Sequence, residues 1–445
     1  MPYLFGYQII MAKSEKRPLA EAREKRIKQR SSRLKQRLRA IPAKRLFDLL
    51  PRDLMEQVSS ETGVDVQVKH LFGYLVVLLL IQGILQDKDH SVRELETLYN
   101  SKFFRVFSGK GDHQTRHSSI SSRLATIEID FFRKLYAGFL ENVKKSYGKK
   151  LDKEFGWLTR FDSTMVALSA SLTEIGMRVG APPKKGKGKV QIKFTIGLRG
   201  LLPTEVHLFH DQAHLSEERA LFEAIEASEV ENDDVTVFDM GLKSRKSFKT
   251  FAENGRIFNT RLKNPRYEVL RKHKEVKGRC HGDLCYASDE IVHLYASGGE
   301  SLLTTVDFRL ITANVVKGKH SGKTLYFLTN SLEMSAFEVA DTYLRRWDIE
   351  VFFRFLKQEV GLRNLLAYNE NGIQAVFYVR LLTATMLRVF MWLNKRKDYS
   401  IAKIEFADQV LWEIIEIIVR LSGGNPDLAK DYLADYQGII PKNST

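Results

Sequence analysis

The chain of 445 residues carries 70 Lys and Arg against 54 Asp and Glu, which gives a net charge of +16 at neutral pH. Its 44% of hydrophobic and 11% of aromatic residues can bury a sizeable core, so a mostly disordered protein is excluded. Two cysteines exclude a disulfide scaffold and indicate a reducing compartment. The longest apolar run, residues 71–81, is shorter than the roughly 18–20 residues that span a bilayer. We therefore expect a buried core helix there, and a cytoplasmic protein with no membrane partner.

The positive charge is concentrated near the beginning of the chain. Residues 12–45 hold 14 Lys and Arg and 3 Glu, so the other residues carry only about +5 of the total. We interpret residues 1–45 as a basic arm. Contact with nucleic-acid phosphates would explain such a segment, and a solvated helix or a disordered arm is the alternative.

Residues 46–150 have apolar residues at helical spacing, and Ser91 with Glu94 forms a capping-box pattern. We interpret this region as a helical DNA-binding domain.

From residue 158 the pattern changes to short β-rich segments alternating with helices, which predicts an α/β domain over residues 151–370. A hairpin is expected at residues 197–203, and a β-rich insertion at about residues 258–332. Ser335 and Glu338 form a second capping box that opens a helix to about residue 360. Residues 371–445 are predicted to form a helical carboxyl-terminal region.

Two aspartates lie where a charge is unexpected. Asp162 interrupts an apolar strand pattern, and Asp239 ends another strand just before Gly241. An unpaired buried charge is costly, and ligands of α/β sheets bind at the carboxyl ends of strands. The alternative for either residue is a helix cap or a paired core acid.

A third acid lies on the predicted helix after Ser335. At 100° per residue, Tyr343, Arg346, Glu350 and Lys357 fall within one arc of about 60°. An ordinary ion pair between Arg346 and Glu350 is the alternative explanation. Taken with Asp162 and Asp239, however, Glu350 completes a set of carboxylates that would repel one another without divalent cations. Such oxygen ligands suit two Mg²⁺ or Mn²⁺ ions, which can promote phosphodiester cleavage.

The spacing Tyr343-x2-Arg346-x3-Glu350-x6-Lys357 resembles the signature of DDE transposases of the IS4 family. The sequences around Asp162 and Asp239 are similar to the two aspartate strands of that family. The resemblance implies an RNase H-like catalytic core, a mixed sheet flanked by helices, with a β-rich insertion between helical terminal regions. It implies that Asp162, Asp239 and Glu350 are catalytic metal ligands, and that Tyr343, Arg346 and Lys357 contact DNA.

The function implied by the resemblance is cut-and-paste DNA transposition. The enzyme would use two Mg²⁺ or Mn²⁺ ions for cleavage and strand transfer at the ends of an insertion sequence. Its partners would be the terminal inverted repeats, target DNA and further copies of the chain, as a homodimer or higher oligomer in a synaptic complex. A nucleoid-associated location in a prokaryotic cytoplasm is expected. The alternatives are a related nuclease without strand transfer and a non-catalytic, transposase-derived DNA-binding protein.

Three weaker patterns receive structural explanations. Residues 318–324 have three residues between their glycines where a P-loop has four, and are expected to form a hairpin turn. Cys280 and Cys285 lack the second ligand pair of a zinc finger. Acids and histidines at residues 210–218 could form a local metal site, but are interpreted as bordering a strand and capping the next helix.

Overall fold

The computed structural model describes residues 41–427, with gaps at residues 88–89, 152, 154–155, 169–175, 181–188, 230–233, 296–305, 319, 364 and 366–368. Most of the basic arm and residues 428–445 of the carboxyl-terminal region lie outside the described residues.

The region after the arm is helical, as predicted. Its helices are α1 (Lys44–Phe47), α2 (Arg52–Thr62), α3 (Gly73–Gln86), α4 (Val92–Tyr99), α5 (Lys102–Ser108), α6 (His117–Thr126) and α7 (Ile129–Leu151). Helix α3 is buried over most of its length, which confirms the core helix expected from the apolar run. The Ser91 side chain and the Glu94 side chain bond to each other's backbone N–H groups, which confirms the first capping box.

One mixed sheet organises the rest of the molecule. Its strands are β1 (Leu158–Leu168), β2 (Met177–Val179), β3 (Lys189–Arg199), β4 (Leu202–Phe209), β5 (Val235–Phe238), β6 (Ile257–Leu262), β7 (Tyr267–Lys272), β8 (Cys280–His281), β9 (Leu284–Leu294), β10 (Phe308–Val315) and β11 (Thr324–Thr329). The order is β2-β3-β1-β5-β6-β11-β10-β9-β7, with β4 also on β3 and β8 on β9.

The centre of the sheet has the RNase H-like arrangement. Strands β1, β3 and β4 form an antiparallel meander, and the predicted hairpin at residues 197–203 joins its last two strands. Strand β5 pairs parallel to β1, and β6 pairs parallel to β5. The predicted fold class is therefore confirmed.

The β-rich segment is continuous with this sheet. Strand β11 pairs antiparallel with β6, and β10, β9 and β7 follow outward. The segment predicted as an insertion therefore extends the central sheet instead of building a separate one, because β11 satisfies the otherwise open edge of β6.

Helices cover both faces of the sheet. Helices α8 (Glu217–Ala227) and α9 (Arg245–Glu253) pack on the face that contains Phe161 and Phe238. Helix α10 (Ala336–Leu344) packs on the opposite face against Leu158 and Val237. Helix α11 (Trp347–Gln358) contacts β1 and leads into α12 (Glu370–Leu393) and α13 (Tyr399–Leu421).

The helix predicted from Ser335 to about residue 360 is interrupted. Regular α-helical bonding stops at Leu344 and resumes at Trp347, and the Arg346 N–H bonds to the Tyr343 carbonyl at 3.0 Å, three residues back. This tighter turn is typical of a helix end. It changes the direction in which α11 presents its side chains to β1.

Among the described residues, Glu370–Leu393 is long and apolar enough to cross a membrane. The core explains this composition, because 83% of its most apolar window is buried inside the molecule.

Candidate active site

Asp162 and Asp239 lie side by side at the centre of the sheet. Phe161 of β1 pairs with Phe238 of β5, so the two aspartates occupy the next positions along these neighbouring parallel strands. Adjacent strands are about 4.8 Å apart, and residues in equivalent positions face the same side. The sheet register therefore brings together two acids that are separated by a long stretch of sequence.

The Asp162 carboxylate is mostly buried, with 13% of the side chain exposed. Burial is the largest cause that raises its pKa, to about 7, and the charges of Asp239 and Glu217 add to the increase. The Ser163 N–H, which donates to Asp162 Oδ1 at 2.8 Å, and the Arg346 charge oppose it. Negative charge at this position is thus only partly compensated within the protein.

Asp239 begins the loop that follows β5. Its Oδ1 accepts the Gly241 N–H at 2.8 Å, which turns the chain back beside the carboxylate. A Cβ at Gly241 would lie 2.7 Å from Asp239 Oδ1 and 2.8 Å from the Glu217 Cδ, so the turn has no room for a side chain.

Glu217 is the residue that sequence reasoning did not assign to the site. It opens α8, where the sequence pattern favoured a helix cap over a local metal site with the neighbouring histidines. Its pKa is raised, first by burial and then by the charge of Asp239. The signal that could have revealed it is weak, since an acid in the first turn of a helix is common.

Helix α11 supplies the third predicted acid together with a cation. The Arg346 Nη2 donates to Glu350 Oε1 at 2.5 Å, and its Nη1 lies 4.0 Å from Asp162 Oδ2. The guanidinium therefore bridges the acid on the helix and the acid on the strand. The ion pair between Arg346 and Glu350, which was the alternative explanation for this helix face, is present, and it lies beside Asp162.

Lys357 and Tyr343 differ in their accessibility. Lys357 is partly exposed, and burial and Arg363 lower its pKa while the charge of Asp162 opposes this. Tyr343 is buried, and its ring packs edge-on against Phe327. Arg346 lies above the Tyr343 ring, 5.9 Å from its centre. The Tyr343 ring thus packs against the Arg346 guanidinium and helps to position it.

Asp348, the other acid at the beginning of α11, has a separate role. It accepts a hydrogen bond at 2.7 Å from Arg160, a buried residue of β1 that also donates to Leu198 and Gly200 carbonyls. This bond attaches α11 to the strand that carries Asp162, and so fixes the distance between the strand and helix halves of the site.

The carboxylates suit a divalent cation in their chemistry. Asp162 and Asp239 offer hard oxygen donors, and their mutual repulsion needs a positive charge between them. Within the described ranges, no three Asp, Glu, His or Cys side chains are close enough to hold one ion together. Glu350 is instead paired with Arg346.

The weaker sequence patterns have structural roles. Gly318, Ser321 and Gly322 lie in the turn between β10 and β11, as expected. Asp211 and Ser216 cap a 3₁₀ turn and α8, and His214 bonds to Asp211 and Glu223.

The cysteines differ from the expectation. Cys280 and Cys285 pair as a disulfide, because β8 and β9 place them opposite each other. The pairing gives these two residues a structural explanation in place of zinc binding.

Residues 157–387, just over half of the chain, match the family described as "Transposase DDE domain". "Putative transposase y4zB" of Sinorhizobium fredii is 28% identical over 183 residues, which is 41% of this chain and 49% of that protein. The chain therefore spans about half the length of this relative. "Putative transposase for insertion sequence element IS4SA" of Synechocystis sp. is 23% identical over 71% of this chain and 89% of its own length.

The matched region begins just before β1 and ends within α12, so it contains the sheet centre, both aspartates and helix α11. The family comprises DNA-binding transposases of the nuclease and transesterase class, which generally use divalent metal ions. The chain belongs to the DDE transposase domain family.

Proposed function

We propose that the protein cleaves and rejoins DNA at the ends of an insertion sequence, with Asp162, Asp239 and Glu350 as the catalytic acids. The proposal depends mainly on one observation: Asp162 and Asp239 directly follow the paired residues Phe161 and Phe238 of two parallel strands, and Arg346 lies 4.0 Å from Asp162. Family membership supports the transposase activity. The cut-and-paste course and the use of two ions belong to this proposal.

The three acids would hold Mg²⁺ or Mn²⁺, which when bound activates the attacking oxygen and stabilises the leaving oxygen of the phosphodiester. Asp162 and Asp239 provide ligands from the sheet, where register fixes their positions. Glu350 provides a ligand from α11 once Arg346 has exchanged its carboxylate partner for another anion. DNA phosphate is that anion in the proposed complex.

Arg346 and Lys357 would bind phosphates beside the acids. A guanidinium binds phosphate in a bidentate manner, and an ammonium acts as a point charge. Tyr343 is buried, so we assign it chiefly to positioning the Arg346 side chain, with DNA contact limited to its hydroxyl.

The helical domain offers a surface for holding the rest of the DNA. Helix α6 exposes Ser118, Ser119 and Ser122 along a groove of about 750 Å³ that also includes Lys69 and Arg116. Short polar side chains allow close approach to a phosphate backbone. We infer that this face of residues 46–150 contacts DNA.

The test is an assay on the full chain with labelled DNA that carries the inverted repeats flanking its gene. Wild type should yield cleaved ends and strand-transfer products with Mg²⁺ or Mn²⁺. Asp162→Asn, Asp239→Asn and Glu350→Gln should each reduce cleavage at least about 10³-fold, because each removes a charged ligand from the reaction site. Asp341→Asn, at an exposed acid of α10 that bonds to His281, is the matched control and should keep wild-type cleavage.

The products separate the alternatives. Cleavage without joining would favour a nuclease that lacks strand transfer. A DNA mobility shift without cleavage by the wild type would favour a non-catalytic DNA-binding protein. Wild-type cleavage by all three acid variants would refute the site assignment.

A further inference from the structure

Glu217 is an acid placed directly against a proposed metal ligand. It lies in the first turn of α8, whereas Asp239 lies in the loop after β5. A Cβ at Gly241 would lie 2.7 Å from Asp239 Oδ1 and 2.8 Å from Glu217 Cδ. Both carboxylates are therefore next to the same small space, and Asp239 Oδ1 and Glu217 Cδ lie close to each other. Two carboxylates from different elements thus share a space that the glycine leaves open.

Neighbouring contacts hold Glu217 in that place. The Ser216 side chain caps α8, and the Glu218 carboxylate accepts the Lys243 N–H at 3.2 Å. The second bond ties the first turn of the helix to the same loop that carries Asp239. The position of the Glu217 backbone relative to Asp239 is therefore fixed from both sides.

The Glu217 carboxylate has no hydrogen bond or ion pair with any residue that the structure describes. The buried Lys193 attracts Glu217 electrostatically without forming an ion pair with it, and the Lys193 ammonium donates to the Leu215 carbonyl at 3.0 Å. Like charges this close raise the free energy of the folded protein unless a cation lies between them. Burial removes part of the solvent around the Glu217 carboxylate, but the residue as a whole is still exposed, so an ion can enter.

We propose that Glu217 is a fourth carboxylate of the active site and a ligand of the divalent cation that Asp239 binds. The proposal rests on the proposed function for Asp162, Asp239 and Glu350. Glu217 would add a ligand from α8 to the proposed ligands on β1, on the loop after β5 and on α11. Gly241 is required because a side chain there would separate Asp239 from Glu217.

The test measures Mn²⁺ binding to the full chain without DNA, from the paramagnetic resonance signal of free Mn²⁺. Glu217→Gln should raise the Mn²⁺ dissociation constant about tenfold or more, since one charged ligand is lost. The Mg²⁺ concentration for half-maximal cleavage should rise in the same direction. Glu253→Gln removes the same charge from an exposed acid of α9 that pairs with Lys249, and it should leave the dissociation constant within about twofold of wild type.

Gly241→Ala gives a second, charge-neutral variant, and it should also weaken Mn²⁺ binding. Circular dichroism confirms that each variant is folded. Wild-type Mn²⁺ affinity in Glu217→Gln, alongside lost affinity in Asp239→Asn, would overturn the assignment of Glu217 alone. Wild-type Mn²⁺ binding and cleavage in Asp239→Asn would instead refute the site on which the proposed function rests.

Discussion

The molecule contains two groups of buried charged residues, and they differ in how completely their charges are paired. In the β-rich segment, Arg309 and Asp289 are both 0% exposed and form two bonds of 2.7 Å, and Arg309 also donates to Ser331 and Met334 carbonyls. At the sheet centre, Asp162 has only a partial contact with Arg346 and lies beside further acids. Complete pairing characterises a structural group, whereas incomplete pairing marks a site that needs a ligand.

The fully paired group also supports the part of the structure that carries the active site. Arg309 fixes the loop before α10, and this helix carries Tyr343 toward Arg346. The satisfied pair thus supports the element on which the unsatisfied group depends. Stability in one region allows electrostatic repulsion to persist in the other.

The largest expected effect is on the structural pair. Arg309→Met leaves Asp289 buried without its partner and should lower the free energy of unfolding by about 3–5 kcal/mol, measured by urea denaturation. Arg271→Met breaks an exposed pair with Asp307 in the same segment and should cost less than about 1 kcal/mol. If both variants lost the same free energy of unfolding, the distinction between the buried pair and the exposed pair would be wrong.

A smaller effect of opposite sign is expected at the active site. Asp162→Asn keeps the acceptor for the Ser163 N–H and removes the repelling charge. Without metal, it should stabilise the protein at pH 8 by on the order of 1–2 kcal/mol, even though it abolishes cleavage.

The same variant should show a defined pH dependence. The folded-state pKa of Asp162 is raised to about 7 from its ordinary value of 3.8, so the folded protein binds the proton more tightly than the unfolded chain. The stability difference between wild type and variant should be absent below about pH 4, grow up to about pH 7 and stay constant above it. Denaturation midpoints across this range measure it, with Asp130→Asn as an exposed control. A constant difference at all pH values would show that Asp162 carries no such repulsion.

The smallest expected effect concerns DNA affinity. Lys357→Met removes one cation beside the acids and should reduce the slope of log binding constant against log salt concentration by about 1. Lys249→Met, which alters a lysine paired with Glu253 on the opposite helix layer, should leave the slope unchanged. An unchanged slope in Lys357→Met would remove this residue from the DNA-binding surface and restrict phosphate binding to Arg346.

Much of the fold followed from local patterns. The change from helical to strand periodicity at residue 158, the hairpin at residues 197–203 and both capping boxes were predicted and are present. The interrupted helix at Arg346 was not predicted, because side-chain periodicity continues through a single turn of tighter backbone bonding. The continuity of β11 with β6 also escaped prediction, since edge pairing depends on residues far apart in sequence.

The sequence by itself determined the chemical character of the site. Asp162 and Asp239 stand out because a charge at an apolar strand is costly, and Glu350 because it shares a helix face with Arg346 and Lys357. Only the tertiary structure decided which groups meet. Parallel register brings Asp162 beside Asp239, and the glycine turn admits Glu217 from another helix. Local periodicity encodes which side chains face inward, but distances between elements arise only when strands pair and helices pack.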